Sequence, residues 1–532
     1  MKLMQLLTPY KTHNLQTVTG ASTADISITG LVTDNRDVKA GDCFIALAGL
    51  THHGKEFIGD AVARGASAIL IDANDDCGLA NNSELDQKHM AAIPVVSVSR
   101  LAENVNSIVL DFYRQEHAVN ELPLMAVTGT NGKSSITRFA AQMCHRLNHP
   151  TGLMGTLGFG VWPSMVESKN TTPELAVLLR QFSLMKAQGA QQVMMEVSSH
   201  GIAQKRIEGL VFETAVFSNL TQDHLDYHGD METYYGIKRT LFLSPKLKHA
   251  IINIDDEYGQ RLLDDVAISA QKISYGFSAT ANVKVLSWSS NGSSIDASIS
   301  TPWGEAKFSI NMVGDFNLAN VLAAISILVL EKVGTFTEVI SALSAITPAP
   351  GRMQAYHKDN CANVVIDFAH TPAALSNVLT TLAENIKKMK SKSRLSVVFG
   401  CGGNRDTDKR PKMAGIAQTI ADRVILTADN PRTENFENII DDMQAGLKSD
   451  IDSTVLAQVT VEKDRAAAIQ LALSELSGDD VLLIAGKGHE NYQDINGVKI
   501  PYSDEHVLFS LGYRAASSDV HNAYDENLRS GL

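Results

Sequence analysis

The chain predicts an α/β protein of three domains, the central one a sheet carrying a phosphate-binding loop. Three observations carry that expectation. Short apolar runs with strand character alternate with helical runs almost throughout, the pattern of parallel sheets covered by helices. One such run, Leu124-Met125-Ala126-Val127, leads into Gly129-Thr130-Asn131-Gly132-Lys133-Ser134 and then a helical pattern over 136–147. The segment Thr347-Pro348-Ala349-Pro350-Gly351 is the clearest hinge. At 532 residues the chain exceeds what one core can serve, and the blocks fall at 1–121, 122–346 and 347–532.

In the first block, strand-like runs at 28–32, 43–48, 68–71 and 95–98 accompany helical stretches near 57–64 and 101–114. The polar segment 74–92 reads as a loop, and Arg114-Gln115-Glu116-His117 as a charged link. The second block adds strands at 193–197, 215–218 and 250–254. Between 272 and 312 the pattern turns period-two and rich in Ser and Thr, predicting an antiparallel extension, before a long apolar helix over 317–331. The third block holds four buried-strand signals, at 364–366, 395–399, 423–426 and 481–484, with a polar tail from 515.

Composition narrows the function classes. A net charge of −13 argues against a broad nucleic-acid or anionic-membrane surface, so an anionic ligand must be held by local groups. Five scattered cysteines without CxxC pairing indicate neither a disulfide framework nor a zinc site. The apolar start at 1–7 is broken by Thr8-Pro9, leaving no secretory core, and the run 321–330 is too short to span a bilayer. These features predict a soluble cytoplasmic protein, with no nucleic-acid or membrane partner and a monomer as the default.

The chemistry concentrates where strands end. A glycine-punctuated turn between strand and helix lets backbone N–H groups wrap a phosphate. Lys133 can reach the terminal phosphates and the Ser134 hydroxyl can join a Mg²⁺ shell. The strict pattern wants a glycine six positions before the lysine, where Val127 stands. Nucleotide binding and an ordinary strand-to-helix turn are both open on this motif alone. Glu196, near the end of the 193–197 run, suits Mg²⁺, and Asn219 to His228 form a dense polar run after the next strand. In the third block, Asp367-Phe368-Ala369-His370-Thr371-Pro372, the loop at 400–406, Asp429-Asn430-Pro431-Arg432 and Gly486-Lys487-Gly488-His489-Glu490 follow the four strands. Thr371-Pro372 also forms a helix start with proline at the first position. Arg405 and Arg432 suit carboxylates, whereas Asp429 and Glu490 suit an ammonium, a mixture that fits a zwitterionic amino acid.

Together these residues resemble the Mur ligase family, ATP-dependent enzymes that form amide bonds in peptidoglycan precursor synthesis. The motifs are 128–134, Asn170-Thr171-Thr172-Pro173, Glu196-Val197-Ser198-Ser199-His200-Gly201, Asp223-His224-Leu225-Asp226, Gly314-Asp315-Phe316-Asn317-Leu318-Ala319-Asn320 and 367–372, spread over nearly the whole chain. The resemblance implies an N-terminal UDP-substrate-binding domain, a central P-loop ATPase-type domain and a C-terminal Rossmann-like amino-acid-binding domain. It implies an acyl phosphate formed from ATP, then attacked by an amine. It assigns catalysis to Lys133, Glu196, His224 and Lys238, the last carbamoylated by CO₂ to N6-carboxylysine. Mg²⁺ would be held by Ser134, Glu196, His224 and Lys238. ATP would contact Gly129, Thr130, Asn131, Gly132, Lys133, Ser134, Ser135, Asn317, Arg352 and His370. A UDP-N-acetylmuramoyl-dipeptide would contact Thr33, Asn35, Leu50, Thr51, His52, Asn170, Thr171, Thr172, Ser198, Gln204 and Arg206.

The 429–432 loop resembles the signature of family members that add meso-diaminopimelate. That amino acid would contact Arg405, Asp429, Asn430, Pro431, Arg432, Gly486 and Glu490. The alternatives are a lysine-adding member of the family and, from another class, a non-catalytic nucleotide-binding module. The latter would predict erosion at Lys133, Glu196, His224 or Lys238, and all four are present. Departures from the family pattern are Asn35 where serine is common, Ser134-Ser135 for a threonine pair, and Phe368 for tyrosine.

Overall fold

The computed structural model describes residues 1–10, 26–49, 52–74, 93–168, 170–290, 294–312, 314–388, 393–448 and 456–515. Leu50, Thr51, most of the 74–92 segment and the tail beyond 515 lie outside the described residues. The fold is α/β, and the chain divides into two compact units. The first comprises Met1–Val127, Asn148–Ala215 and Ser244–Lys248; the second comprises Thr128–Leu147, Val216–Leu243 and His249–Leu532. Among the described residues no helix is long and apolar enough to cross a membrane.

In the first unit a four-stranded parallel sheet runs Gly30–Val32, Asp42–Ile45, Ala68–Asp72, Val95–Val98, each strand beside its sequence neighbour. Val32, Phe44, Ile69 and Val95 pack with Ile58 and Ala61 of the helix Ile58–Ala63 in one core. The stretch 114–117, expected as a link, instead completes the helix Leu101–His117. Its charges have partners: Arg114 Nη2 donates to the Gly209 carbonyl at 2.7 Å, and Glu116 meets the N-terminal ammonium at 3.1 Å. A buried pair, Asp42 with Arg180 at 2.8 Å, ties the sheet to the helix Leu175–Ala187. Strand Leu124–Thr128 pairs in parallel with Gln192–Glu196, which pairs with Thr151–Gly155. Gly158–Val161 and Ser164–Val166 add antiparallel strands.

In the second unit, His249–Asn253, Gln271–Gly276 and Val283–Ser290 pair in parallel, and Ile295–Thr301 and Gly304–Ile310 extend them antiparallel. Period two predicted an antiparallel extension over 272–312; the antiparallel pairing begins only at Val283–Ser290, and Gln271–Gly276 within that span is parallel to both its neighbours. The helix Asp315–Leu330 is buried along nearly its whole circumference and packs against Lys133–Arg146, which explains why its sequence is apolar all round.

A seven-stranded sheet of the same unit orders Gln458–Val461, Arg423–Leu426, Leu395–Phe399, Val481–Ala485, Asn363–Asp367, Gln354–His357 and Arg514–Ala515, the first five parallel. The four expected strands sit side by side within it. Their residues alternate between two cores: Val365, Val397, Val424 and Leu483 on one face, Val364, Ile366, Val398, Ile425 and Leu482 on the other. Both faces are covered, so the runs read as continuously apolar. The helix Phe436–Gln444 covers one face through Phe436, Ile439, Ile440 and Met443, at helical spacing, and Asn435 caps it. Because five strands are parallel, their carboxyl ends, with the loops beginning at 368, 400, 427 and 486, share one edge.

Candidate active site

The phosphate-loop motif lies in the second unit. Its helix, Lys133–Arg146, begins at the lysine, three residues before the expected start. Gly129 has φ +146°, and a Cβ there would stand 2.0 Å from Ser218 Oγ, so only glycine fits. The two residues that follow the strand Thr214–Phe217 brace the loop. Ser218 Oγ and Asn219 Nδ2 donate to the Asn131 carbonyl at 2.5 and 3.1 Å, and the Asn131 N–H donates to Asn219 Oδ1 at 2.9 Å. Lys133 Nζ donates to the carbonyls of Gly129 (2.9 Å) and Thr130 (2.8 Å), which holds the ammonium over the loop. Ser134, Ser135 and Asn317 are buried.

Lys238, on the helix Met231–Arg239, has its ammonium buried at the start of this loop. It donates to Gly129 O at 3.1 Å and Thr128 Oγ1 at 3.3 Å. Burial, and secondarily the positive charge of Lys133, push its amine well below the usual lysine range. Nearby, Asp223 is a buried hub. His224 Nε2 lies 3.3 Å from it, Lys409 Nζ 3.3 Å and His370 Nε2 3.6 Å. Burial opposes its ionisation, but the close His370 imidazole and the Lys409 charge outweigh it, holding the carboxyl well below its ordinary value. Asp367 is different: buried, it accepts from the N–H groups of Met353 (2.8 Å) and Ala369 (2.7 Å), and burial raises its carboxyl. Phe368 stacks under the Arg352 guanidinium at 4.4 Å and meets the His370 ring at 4.7 Å, so the ring that departs from the family pattern serves as a platform for two candidate ATP residues.

The loops suited to an amino acid also belong to the second unit. Arg432 has φ +52°, a conformation costing a non-glycine residue about 1 kcal/mol or more. A hairpin, Tyr492–Ile495 with Val498–Pro501, holds it there: Arg432 N–H donates to Asp494 O at 2.9 Å, and Asn496 N–H donates to Arg432 O at 2.7 Å. Arg432 Nη1 donates to Gly403 O at 2.8 Å. Asp429, Asn430 and Pro431 are buried, as is Gly486, whose φ is +107°. Arg405 is exposed on the turn after Leu395–Phe399. Asn430 Nδ2 donates to Glu490 Oε2 at 2.9 Å. Lys487 and Lys409 received no role from the sequence, although Lys487 stands in the quoted motif between Gly486 and Glu490. Its position directly after a buried strand was the available signal.

Glu196 closes a strand of the first unit, 2% exposed, and accepts from Thr156 N–H at 2.9 Å and Thr156 Oγ1 at 3.2 Å. Thr171 Oγ1 lies 2.9 Å from that same hydroxyl. Thr172 Oγ1 donates to Glu196 O and accepts from Ser198 N–H, both at 3.0 Å, and Ser198 Oγ caps the following short helix. Arg206 donates to Thr172 O at 2.8 Å and to Gln204 Oε1 at 2.5 Å. A cavity of about 280 Å³ is lined by Thr33, Leu47, Val109, Glu174, Gln204 and Arg206. Asn35, bonded to Asp60 at 2.6 Å, and His52, beside Glu56 at 3.3 Å, lie outside this lining, and Asn170 is exposed. Thus Thr33, Gln204 and Arg206 are brought to one cavity, with Thr172 reached through Arg206.

Three stretches of the chain match family descriptions: residues 27–109 the Mur ligase family, catalytic domain; 127–328 the Mur ligase middle domain; and 351–488 the Mur ligase, glutamate ligase domain. Among similar proteins, a UDP-N-acetylmuramoyl-L-alanyl-D-glutamate–2,6-diaminopimelate ligase of Neisseria meningitidis is 41% identical, covering 94% of this chain and 98% of its own. One of the same name from Coxiella burnetii is 38% identical over 93% and 98%. A solved structure carrying that name is 32% identical, covers 94% and 98%, and has a TM-score of 0.60. The Acinetobacter baumannii ligase titled UDP-N-acetylmuramoylalanyl-D-glutamyl-2,6-diaminopimelate–D-alanyl-D-alanyl ligase shares the fold, with a TM-score of 0.62 at 17% identity over 90% and 96%.

Proposed function

The chain belongs to the Mur ligase family, and from that premise we propose that it joins meso-2,6-diaminopimelate to UDP-N-acetylmuramoyl-L-alanyl-D-glutamate at the expense of ATP, in cytoplasmic peptidoglycan precursor synthesis. The observation that carries this reading is that Asn430, two residues before the cation Arg432, donates to the carboxylate of Glu490, joining two loops at the carboxyl ends of parallel strands in one sheet. Those are the charges that grip a zwitterionic head, and diaminopimelate has a second head that lysine lacks. The extent of the relatives that bear this name supports it further.

The reaction has two stages. The free glutamyl carboxylate of the nucleotide-sugar substrate attacks the γ-phosphate of ATP, giving an acyl phosphate and ADP. The diaminopimelate amine then attacks the acyl carbon and phosphate leaves. A carboxylate is a poor electrophile and repels triphosphate, so the protein must supply positive charge and position. Lys133 does so from above the loop, where two loop carbonyls already aim its ammonium. Arg352, fixed on Phe368, and His370 offer further donors toward ATP. In the first unit, the cavity bearing Thr33, Gln204 and Arg206 is assigned to the nucleotide-sugar substrate.

Mg²⁺ is a hard cation that keeps few protein ligands beside waters and phosphate oxygens; when bound it neutralises the phosphate charge. The donor chemistry of Ser134 and His224 fits in the second unit, and Glu196 of the first has the same assignment by resemblance. Lys238 fits carbamoylation on its own geometry, because CO₂ reacts with a neutral amine and burial keeps this amine readily deprotonated. Three domains at 1–121, 122–346 and 347–532 are part of this proposal, supported by the three separate matched stretches.

Phosphate release with Mg·ATP and the UDP-muramoyl-dipeptide, comparing meso-diaminopimelate with L-lysine, tests the reading. Release with diaminopimelate and little with lysine is expected. Preference for lysine would sink the acceptor assignment, and ATP binding without release would favour a non-catalytic module.

A further inference from the structure

Lys487 follows the strand Val481–Ala485 after a single glycine, and its side chain is fully buried. An ammonium carries three N–H donors. Three acceptors surround this one: Glu490 Oε2 at 3.0 Å, Asn430 Oδ1 at 3.1 Å and Asp429 Oδ1 at 3.4 Å. The network is closed on itself. Asn430 Nδ2 donates to the same Glu490 Oε2 at 2.9 Å, and the Asp494 N–H of the hairpin donates to the same Asn430 Oδ1 at 3.0 Å. The Asn430 amide therefore has one orientation, its oxygen toward two donors and its nitrogen toward the carboxylate. Without the lysine, Asp429 and Glu490 would form an acidic pair with no cation between them.

We propose that Lys487 is a positioning residue for the amino-acid acceptor: its ammonium locks the side chains of Asn430 and Glu490 and balances Asp429. Glu490 Oε2 is engaged by Lys487 and Asn430, so Oε1 is the atom directed to the acceptor's ammonium, while Arg432 answers its carboxylate. The specificity of the 429–432 loop then depends on a residue outside the loop. This rests on the acceptor site proposed above and adds the device that shapes it.

Steady-state phosphate release by K487M in the full-length chain tests the idea. Truncating one partner of a buried charged network raises the KM for diaminopimelate about 30-fold or more. The KM values for ATP and for the UDP-muramoyl-dipeptide stay within about threefold, because neither depends on this network. A merely structural role would move all three KM values together, and that result, or an unchanged acceptor KM, overturns the proposal. If circular dichroism finds K487M unfolded, K487Q, which keeps an amide donor without the charge, carries the same comparison. Unfolding of both variants also overturns it, since Lys487 would then be a strut of the core. Should the wild-type protein take L-lysine instead, the acceptor reading fails, yet the same KM split measured with L-lysine still decides the role of Lys487.

Discussion

Single residues carry the chemistry through what is packed around them. Arg432 is held at a positive φ by two backbone bonds to the hairpin, and its Nη1 donates to the Gly403 carbonyl, so both its backbone and its guanidinium are anchored by the protein. Arg432→Ala should lower kcat/KM for diaminopimelate about 100-fold or more, the usual loss for a desolvated charge contact, with little change in the KM for ATP. Phosphate release under varied acceptor and varied ATP checks both halves. Lys238 makes a sharper contrast, because the conservative change should be the damaging one. Lys238→Arg keeps a cation, but a guanidinium that cannot deprotonate cannot take up CO₂, and the variant should lose about 100-fold or more in kcat. Wild-type activity should also fall in carbon-dioxide-depleted buffer and recover with bicarbonate, whereas the variant should respond to neither. Lys133, Glu196 and the 429–432 loop were legible as motifs because each lies at or shortly after the end of a buried strand. The contact of Asp223 with Lys409 was not, although Asp223 itself stands in a quoted motif, since 186 residues separate the two partners.

Elements were legible in proportion to how completely they are buried. The strands Leu395–Phe399 and Val481–Ala485 are covered on both faces and declare themselves as apolar runs. Gln458–Val461 at the sheet edge and the exposed hairpin at 492–501 do not, because a weak strand is decided by its pairing partner and not by its own residues. The helix Leu101–His117 ran past its expected end for the same kind of reason: distant partners hold its last charges. Elements are also joined by charge in places no periodicity announces. Asp42 is wholly buried against Arg180, connecting the strand Asp42–Ile45 to the helix Leu175–Ala187. Asp42→Asn leaves a largely buried guanidinium without its counter-charge and should cost about 3 kcal/mol. Thermal unfolding would register this, and the KM for ATP should be unaffected.

For the whole molecule, stability should depend on pH through His489. Burial, and then the nearby Arg352 charge, lower its imidazole to about 4. A group whose folded value is depressed in this way stays neutral in the native state while the unfolded chain takes up a proton. Stability is therefore full above about 6.5 and declines as pH falls toward 4; at pH 5 the loss is about 2 kcal/mol. His489→Gln should remove that part of the decline, read as a smaller difference in unfolding temperature between pH 7.5 and pH 5. The amino-acid sequence by itself determined the α/β class, the buried strands, the glycine-punctuated loop and the positions of the polar loops at the strand ends, because hydrophobic period and glycine placement are local properties of a chain. Only the tertiary structure decided which charges meet. Lys487 reaches Asp429 across 58 residues, and Asp223 gathers His370 and Lys409 from well over a hundred residues further along the chain. A buried charge is tolerable only beside its partner, and that partner is chosen by the fold, not by the neighbouring sequence.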